Sequence, residues 1–362
     1  MSSRSDSPNL DLLRTVAVSC VLASHVLTVR GVAIRYLGGL GIWGVLIFFV
    51  HTSLVLLFSL ERQIGDDDPR TSKIVHSGRF LVRRVFRIYP ASIVATLVAC
   101  GFNLPLRNFV AGHFVGTVID ERVFLSNLLL VQNLTHTESV LGPLWSLPYE
   151  LQMYCVLPWL YWLTRKRSGG VVIAGWIAMS IACVVVPTSG LGMWDMAFFV
   201  PCFLSGVVAY RLNRTVTPLL PFFLWPVVIA TAGFFYVHYR ITHAAQTFGW
   251  LACLALGISV SFFRELPAML HPPFKIIARY SYGIYLTHDF GLWLAFGHFF
   301  RLPTGIQWTV FVAVTTVSTV MLYHLVERPM VRLGARLSGG SAANRGRPSS
   351  SSGALRPRRA GV

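Results

Sequence analysis

The sequence predicts an all-α, polytopic transmembrane helical bundle. Of its 362 residues, 54% are apolar and 12% are charged, whereas a typical soluble domain is about 45–50% apolar and about 25% charged. Apolar stretches of about 20 residues, the length that crosses a bilayer as a helix, recur along the chain. The short alternating segments of a transmembrane β-barrel do not occur in the sequence. This composition excludes soluble enzymes and soluble binding modules.

About ten stretches are long and apolar enough to be candidate spans. They cover residues 11–29, 36–59, 88–106, 141–164, 169–187, 192–210, 218–237, 245–263, 280–300 and 306–327. A further apolar segment, 123–133, is too short to cross, so we expect it to be interfacial or re-entrant. Residues 1–337 therefore form one transmembrane domain. The Ser-, Gly-, Pro- and Arg-rich residues 338–362 are predicted to be a disordered basic tail.

The basic residues predict the orientation of the chain. It has 31 Lys and Arg against 14 Asp and Glu, a net charge of +17. Because the basic residues occur in short clusters between apolar stretches, they favour contact with membrane lipids over binding of nucleic acid. With a cytoplasmic N-terminus, 24 basic residues fall in cytoplasmic segments and six in outer loops. We therefore predict cytoplasmic termini, an even number of spans and a multi-pass protein of the inner (cytoplasmic) membrane.

The first candidate span contains two ionisable side chains, Arg14 and His25. Such groups are costly inside a bilayer and often mark functional sites. Eleven residues make about three helical turns, so both side chains lie on one face, about 16 Å apart along the axis. The alternative for each residue alone is a snorkelling arginine and a core histidine bonded to a neighbouring helix.

A run of arginines follows the second span, in the sequence RFLVRRVFRIYP. If this segment is helical, Arg84 and Arg87 project from the same side. Guanidinium groups can pair with phosphate oxygens through two hydrogen bonds, so the pair would suit a phosphate-rich ligand at the cytoplasmic face. The alternative is an ordinary cluster of positive charges on the cytoplasmic side.

Polar residues also open the fourth span. Ser146, Glu150 and Tyr154 are spaced by four and stack on one helical face. A carboxylate this close to a long uncharged run indicates more than packing, and Pro148 frees backbone groups for a ligand or water. The alternative is an interfacial belt of Trp and Tyr with a surface glutamate.

Two further patterns lead to structural expectations. The 11 histidines show no metal-ligand spacing, so no bound metal is expected. Glu327 and Arg328 follow one another at the end of the last span. We expect them to form a cytoplasmic ion pair of structural importance.

Taken together, these stretches resemble the acyltransferase family 3 membrane proteins, which acylate sugars and other hydroxyl compounds. The resemblance depends on the order and spacing of motifs across residues 11–330. These motifs are Arg14 with His25, Arg84-x-x-Arg87, Trp145-Ser146-Leu147-x-x-Glu150-x-Gln152-x-Tyr154, Phe203-Leu204-x-Gly206, Ser281-Tyr282-x-Ile284-Tyr285-Leu286-x-His288 and Glu327-x-Pro329. The chain departs from the family at Leu151, where a second acid is common, and at Leu13 and Thr15, where glycines are usual.

The resemblance implies transfer of an acyl group, most often acetyl, from acyl-CoA to a hydroxyl of a carbohydrate or glycosylated acceptor of the cell envelope, with no bound cofactor. An alcohol must lose its proton as it attacks a thioester, and a neutral histidine is the usual base near neutral pH. We predict His25 to be this base, since apolar surroundings favour the neutral imidazole. Glu150 or Ser146 is expected to orient the imidazole or the acceptor.

The other motif residues are assigned to the two substrates. Arg84 and Arg87 are expected to hold the phosphates of acyl-CoA, with Arg14 on the path between them and His25. The residues expected to line the substrate site are Trp145, Tyr154, Tyr282 and His288.

A membrane transporter or flippase for a polar or lipid-linked substrate is the main alternative, because intramembrane Arg, His and Glu also mark substrate and proton paths. Inverted repeats would favour it, and the two halves of the sequence show no clear symmetry. A non-catalytic membrane scaffold is the third possibility, and it predicts that His25→Ala is harmless.

Overall fold

The computed structural model describes a helical bundle with almost no sheet over residues 7–32, 37–66, 70–185, 195–239 and 245–339. Within these ranges, the segments long and apolar enough to cross a membrane are Pro8–Val29, Gly39–Gly65, Lys73–Gly101, Phe222–Tyr239 and Thr304–Leu337. Shorter apolar helices cover Gly169–Val185, Met196–Leu212 and Gln246–Val260. The predicted all-α membrane class is therefore confirmed, whereas the count of ten spans and the cytoplasmic termini stay predictions.

Each predicted span corresponds to one helical segment. The helices are α1 (Pro8–Val29), α2 (Leu37–Asp66), α3 (Lys73–Gly101), α4 (Glu121–Leu128), α5 (Gln132–Thr135), α6 (Leu147–Thr164), α7 (Gly169–Val185), α8 (Asp195–Leu212), α9 (Trp225–Tyr239), α10 (Ala245–Val260), α11 (His271–Leu292), α12 (Thr304–Met321) and α13 (Arg328–Leu337). Short 3₁₀ turns precede α6 (Gly142–Ser146) and α9 (Phe222–Leu224), and π turns follow α11 (Trp293–His298) and α12 (Leu322–Glu327). An antiparallel hairpin, β1 (Asn108–Val110) and β2 (His113–Val115), pairs Phe109 with Phe114.

Helix α3 is longer than its predicted span, 88–106. It begins at Lys73, so the arginine run lies within the helix. Ser72 caps this start because its side-chain oxygen accepts a hydrogen bond of 3.3 Å from the backbone N–H of Val75. The first half of α3 is basic and amphipathic, which lowers its hydropathy without preventing a helix. A hydropathy window therefore detects only the apolar second half.

Helices α1 and α11 run parallel and are joined by polar contacts at three levels. At the start of both helices, Asp11 Oδ2 lies 2.7 Å from His271 Nε2. One turn further, the hydroxyl of Thr15 lies 3.2 Å from the carbonyl oxygen of Phe274. Near the end of both, His25 contacts the side chains of α11 described below. These helices are the first and the ninth predicted spans. Successive spans alternate in direction, so two odd-numbered spans are expected to run the same way.

Glycines allow α2 to approach α1 and α8 closely. A Cβ at Gly44 would lie 2.5 Å from the carbonyl oxygen of Ala17 on α1. A Cβ at Gly206 on α8 would overlap the backbone of Val50 and the side chain of Ser53. Small residues at helix crossings let backbones approach and increase van der Waals contact. These crossings pack α1 and α8 closely against α2, which supplies many of the buried core residues.

The segment 123–133 forms parts of the short helices α4 and α5, neither of which is long enough to cross a membrane. The hydroxyl of Tyr89 donates a 2.9 Å hydrogen bond to the carbonyl oxygen of Leu129. Tyr89 lies about 18 Å along α3 from its end at Gly101, at 1.5 Å per residue. Whether this segment is re-entrant or interfacial stays a prediction.

The expected ion pair between Glu327 and Arg328 does not form. Glu327 Oε1 instead lies 2.6 Å from Nη1 of Arg87 on α3, whereas Arg328 is exposed. The physical reason is burial: Glu327 is 1% exposed, and a buried carboxylate requires a close positive partner. This contact joins the end of α12 to α3.

The predicted basic tail lies almost entirely outside the described residues, which end at Gly339. Ser338 accepts a 2.7 Å hydrogen bond from Nε of Arg83, so the chain leaves α13 against the first half of α3. The expectation of disorder beyond this point stays a prediction.

We predict that Gly206→Ala destabilises the bundle, because its new Cβ would overlap Val50 and Ser53. Overpacking of this kind typically costs about 1–3 kcal/mol. Thermal unfolding of the detergent-solubilised protein should show a lower midpoint for this variant. Gly175→Ala on α7 is the matched control, since an added Cβ there meets nothing within 4 Å. Equal midpoints for the two variants would contradict the close α2–α8 contact.

Candidate active site

A cavity of about 360 Å³ lies beside the His25 end of α1. We call it the histidine cavity. Its wall combines aromatic rings with a few polar groups, and the lining includes His25, Arg107, Asn108, Trp145, Tyr285 and Asp289. This composition is typical of a small-molecule binding site.

The β1–β2 hairpin supplies one wall of the histidine cavity. Phe109 and Phe114 both line the cavity, with ring centroids 5.0 Å apart. The turn at Ala111–Gly112 has φ values of 50° and 85°, the left-handed conformation that a tight two-residue hairpin requires. An ion pair of 2.5 Å between Arg107 and Glu138 anchors the base of the hairpin. The hairpin thus presents its aromatic rings from an anchored loop.

His25 is held by the end of α11. Its Nδ1 lies 2.9 Å from Nε2 of His288 and 3.2 Å from Oδ1 of Asp289. The side chain of His25 is 35% exposed, whereas that of His288 is 1% exposed. One ring nitrogen of His25 therefore has two polar partners, while part of the ring faces the cavity. A histidine in this position can exchange a proton with a molecule bound there.

A second cavity, of about 50 Å³, lies toward Arg14. We call it the arginine cavity, and its wall includes Arg14, Thr52, Glu150 and Tyr282. Oε1 of Glu150 accepts hydrogen bonds from Thr52 (3.3 Å) and from the hydroxyl of Tyr154. The carboxylate also interacts electrostatically with Arg14. Glu150 therefore belongs to the arginine cavity.

The three arginines of the predicted donor site belong to one charge cluster. Arg14 and Arg84 both interact electrostatically with Arg87 and with Glu150, and Arg87 pairs with Glu327. Within the described ranges, the Nε atoms of Arg14 and Arg84 are buried without a hydrogen-bond partner. Buried donors are normally paired. These two guanidinium groups therefore retain hydrogen-bonding capacity for an anionic ligand.

Val45 and Tyr285 line both cavities. The hydroxyl of Tyr285 lies 2.7 Å from that of Ser146, and both side chains are buried. The Ser146–Tyr285 pair thus forms part of the boundary between the cavities. A group that passes from one cavity to the other at this point has to break their hydrogen bond.

The contacts of His25 differ from the sequence-based expectation. Ser146 bonds to Tyr285, and Glu150 bonds within the arginine cavity, so neither orients the imidazole among the described residues. Asp289 occupies that position instead. The physical reason is that hydrogen bonds from Thr52 and Tyr154 hold the carboxylate of Glu150 at the arginine cavity, where it also interacts electrostatically with Arg14. A role for Glu150 or Ser146 toward the acceptor stays a prediction.

Of the four residues expected to line the substrate site, two line a cavity and two do not. Trp145 lines the histidine cavity and Tyr282 lines the arginine cavity. Tyr154 and His288 are 4% and 1% exposed, and each is buried behind a lining residue to which it is hydrogen-bonded. These two residues therefore support the site and do not line it.

Sequence reasoning missed Asp289 and Tyr285 as site residues. Asp289 was detectable, because an aspartate within an apolar span is costly and usually functional. Tyr285 stood within a quoted motif, but its contact with Ser146 crosses 139 positions. Only the fold reveals that pairing.

His25, His288 and Asp289 also have the donor types of a metal site. The three donor atoms lie 2.9, 3.2 and 3.3 Å from one another, and imidazole and carboxylate ligands suit zinc. The expectation of no metal depended on spacing along the sequence, whereas these three side chains come from two distant helices. That expectation stays a prediction.

A protein family described as an acyltransferase domain matches residues 7–324. The match covers most of the chain, including every residue named above as lining the two cavities. No curated protein and no solved structure matches the chain.

We predict that breaking the Arg87–Glu327 pair lowers the stability of the folded protein. Arg87→Ala would leave a buried carboxylate unpaired, and loss of one partner of such a pair typically costs about 3–5 kcal/mol. We expect a strongly lowered midpoint of thermal unfolding for Arg87→Ala and a smaller loss when Glu327→Gln is added, because the uncompensated charge is then removed. Additive losses would show that the two side chains are not coupled.

Proposed function

We propose that this chain, which belongs to acyltransferase family 3, transfers an acetyl group from acetyl-CoA to a hydroxyl of a carbohydrate or glycosylated acceptor. Family membership and the apolar helices make it a membrane acyltransferase. The donor, the acceptor, the catalytic base and the inner membrane as its location are parts of the proposal. No resident cofactor is invoked.

The partly exposed imidazole of His25 is the observation on which the proposal rests. It lines a cavity large enough for part of an acceptor, and its other face is held by hydrogen bonds. It lies on the same helix as Arg14, about 16 Å away along the axis. This arrangement supports a site in which an acceptor on one side meets a donor from the other.

The reaction requires one proton acceptor and one leaving group. His25 takes the proton of the acceptor hydroxyl as the oxygen attacks the thioester carbonyl carbon. The carbon–sulfur bond then breaks, and the proton passes from the imidazolium to the departing sulfur. The products are an oxygen ester and CoA with a free thiol. Both substrates meet at one base, so proximity supplies much of the rate and no acyl-enzyme is needed.

The charge cluster supports a donor site at the arginine cavity. Arg14 lines this cavity, whereas Arg84 lines neither cavity and belongs to the same charge cluster. Both have buried, unpaired Nε donors, which suit phosphate oxygens. Arg87 already pairs with Glu327 and would have to share its charge with the donor. The arginine cavity, at about 50 Å³, is far smaller than the histidine cavity at about 360 Å³ and than the about 300–1,000 Å³ of a typical ligand pocket. Donor binding therefore has to widen the arginine cavity and open the Ser146–Tyr285 boundary.

The lining of the histidine cavity supports a sugar acceptor. Phe109, Phe114 and Trp145 provide apolar ring faces, while Asn108 and Arg107 provide groups that can bond to hydroxyls. The distribution of basic residues supports a cytoplasmic position for the arginine cavity and the opposite face for the histidine cavity. Cytoplasmic acetyl-CoA and an envelope glycan would then approach from different sides.

We predict that His25→Ala abolishes acyl transfer while the protein still folds. Membrane vesicles given acetyl-CoA labelled in its acetyl group should accumulate label that mild alkali releases from ester linkage. The variant should incorporate at least about 100-fold less label, because a general base contributes about 10²–10⁴-fold to the rate.

His324→Ala is the matched control, since this exposed imidazole bonds to Tyr280 and lines neither cavity. It should transfer label as the wild type does. Full activity of His25→Ala at equal amounts of folded protein would contradict the base assignment. An absence of ester-bound label with the wild type would contradict O-acetyl transfer itself.

A second kinetic prediction concerns the donor. Arg84→Ala should raise the KM for acetyl-CoA about tenfold with kcat changed less than about twofold, because a charge-assisted hydrogen bond to phosphate contributes about 1.5–3 kcal/mol. Initial rates at varied acetyl-CoA measure this effect. Arg279→Ala, at an exposed position on α11, should leave KM unchanged. The same KM for both variants would contradict donor binding by Arg84.

A further inference from the structure

The hydrogen bonds of His288 fix which of its nitrogens carries a proton. Nδ1 of His288 lies 3.0 Å from the backbone carbonyl oxygen of Ile284. A carbonyl oxygen only accepts hydrogen bonds, so Nδ1 is the donor. In the neutral imidazole, Nε2 of His288 is then an acceptor.

This assignment determines the tautomer of His25. Its Nδ1 lies 2.9 Å from Nε2 of His288, and two unprotonated nitrogens cannot form a hydrogen bond. Nδ1 of His25 therefore carries the proton, which it shares between His288 and the carboxylate oxygen of Asp289 at 3.2 Å. In the neutral ring, the free electron pair belongs to Nε2, the nitrogen that these contacts leave unused.

We propose that Asp289 is a positioning residue that, together with His288, holds neutral His25 with its proton on Nδ1 and so presents Nε2 to the acceptor hydroxyl. The inference rests on the proposed acyl transfer and names the residues that prepare its base. Asp289 itself takes up no proton. When Nε2 receives the proton of the hydroxyl, the carboxylate stabilises the positive imidazolium through Nδ1–H, until the proton leaves with the sulfur.

The fold holds the carboxylate of Asp289 in place. A Cβ at Gly142 would lie 2.8 Å from Oδ2 of Asp289, so the carboxylate packs directly against the backbone there. The backbone N–H of Gly142 donates a 2.8 Å hydrogen bond to the carbonyl oxygen of Leu106. Gly142 therefore cannot move aside freely. The carboxylate lies between this backbone and His25, with only 11% of the side chain exposed.

The tautomer can be measured without any assay of activity. Nitrogen-15 spectra of protein labelled in its histidine rings distinguish protonated from unprotonated ring nitrogens, and a His25→Gln sample identifies the His25 signals. We expect Nδ1 of wild-type His25 to be protonated at neutral charge, and Asp289→Asn to move proton occupancy toward Nε2. A wild-type His25 with its proton on Nε2, or an unchanged tautomer in Asp289→Asn, would overturn the proposal.

The kinetic test separates positioning from substrate binding. Asp289→Asn should lower kcat at least about 100-fold, with the KM for acetyl-CoA changed less than about twofold. Gly142→Ala, which leaves the carboxylate present but displaces it, should lower kcat about tenfold or more. Asp11→Asn is the matched control, because Asp11 forms a similar pair with His271 away from both cavities; its kcat should be unchanged. Wild-type kcat in Asp289→Asn would overturn the proposal.

Elemental analysis of the purified protein tests whether the cluster of His25, His288 and Asp289 binds a metal instead. One equivalent of tightly held zinc or another transition metal, lost in Asp289→Asn, would make the cluster a metal site and overturn the hydrogen-bonded arrangement. An inactive His25→Ala with an active Asp289→Asn would reject the role of Asp289 and leave acyl transfer intact. Failure of the wild type to form ester-bound label would reject acyl transfer, while the tautomer measurement still decides the inference.

Discussion

The constraint that organises this protein is the cost of ionisable side chains in an apolar bundle. Such groups have no water to solvate them, so they must meet each other across helices. Helices α1 and α11 satisfy this requirement twice, through Asp11 with His271 and through His25 with Asp289. Because each α1 residue meets an α11 residue at a similar level, the two helices are fixed parallel and in register. The candidate base is therefore part of the contact that holds the bundle together.

The sequence predicted the helices well because their signal is local. Each span carries its own apolar run, and Arg14 and His25 share a face by helical geometry alone. The beginning of α3 was missed, because a basic amphipathic stretch does not register as a span. The partner of Glu327 was also missed, because the choice of Arg87 over Arg328 depends on burial in the folded bundle. Local sequence patterns therefore predict where helices lie, whereas the partner of a charged side chain depends on which residues the folded bundle brings together.

At the candidate site, too, the sequence did not predict the contacts of a charged side chain, here those of Glu150. Sequence spacing places it one turn from Ser146, which made it an attractive partner for the imidazole. Yet hydrogen bonds from Thr52 and Tyr154 hold its carboxylate at the arginine cavity, where it interacts electrostatically with arginines of α1 and α3. The acid that reaches His25 comes from α11, 264 positions away. The two acids thus lie at different cavities, and the site divides into a positively charged end and a histidine end.

The boundary between these two ends consists of neutral groups. Ser146 and Tyr285 share one hydrogen bond, and the net contribution of such a bond is about 0.5–1.5 kcal/mol. Breaking a buried ion pair by removing one partner costs about 3–5 kcal/mol. Under the proposed function, a neutral pair at this place would open at a lower cost than a charged contact when a ligand fills the arginine cavity. In that proposal, the polar contacts between α1 and α11 would stay intact as the two cavities connect.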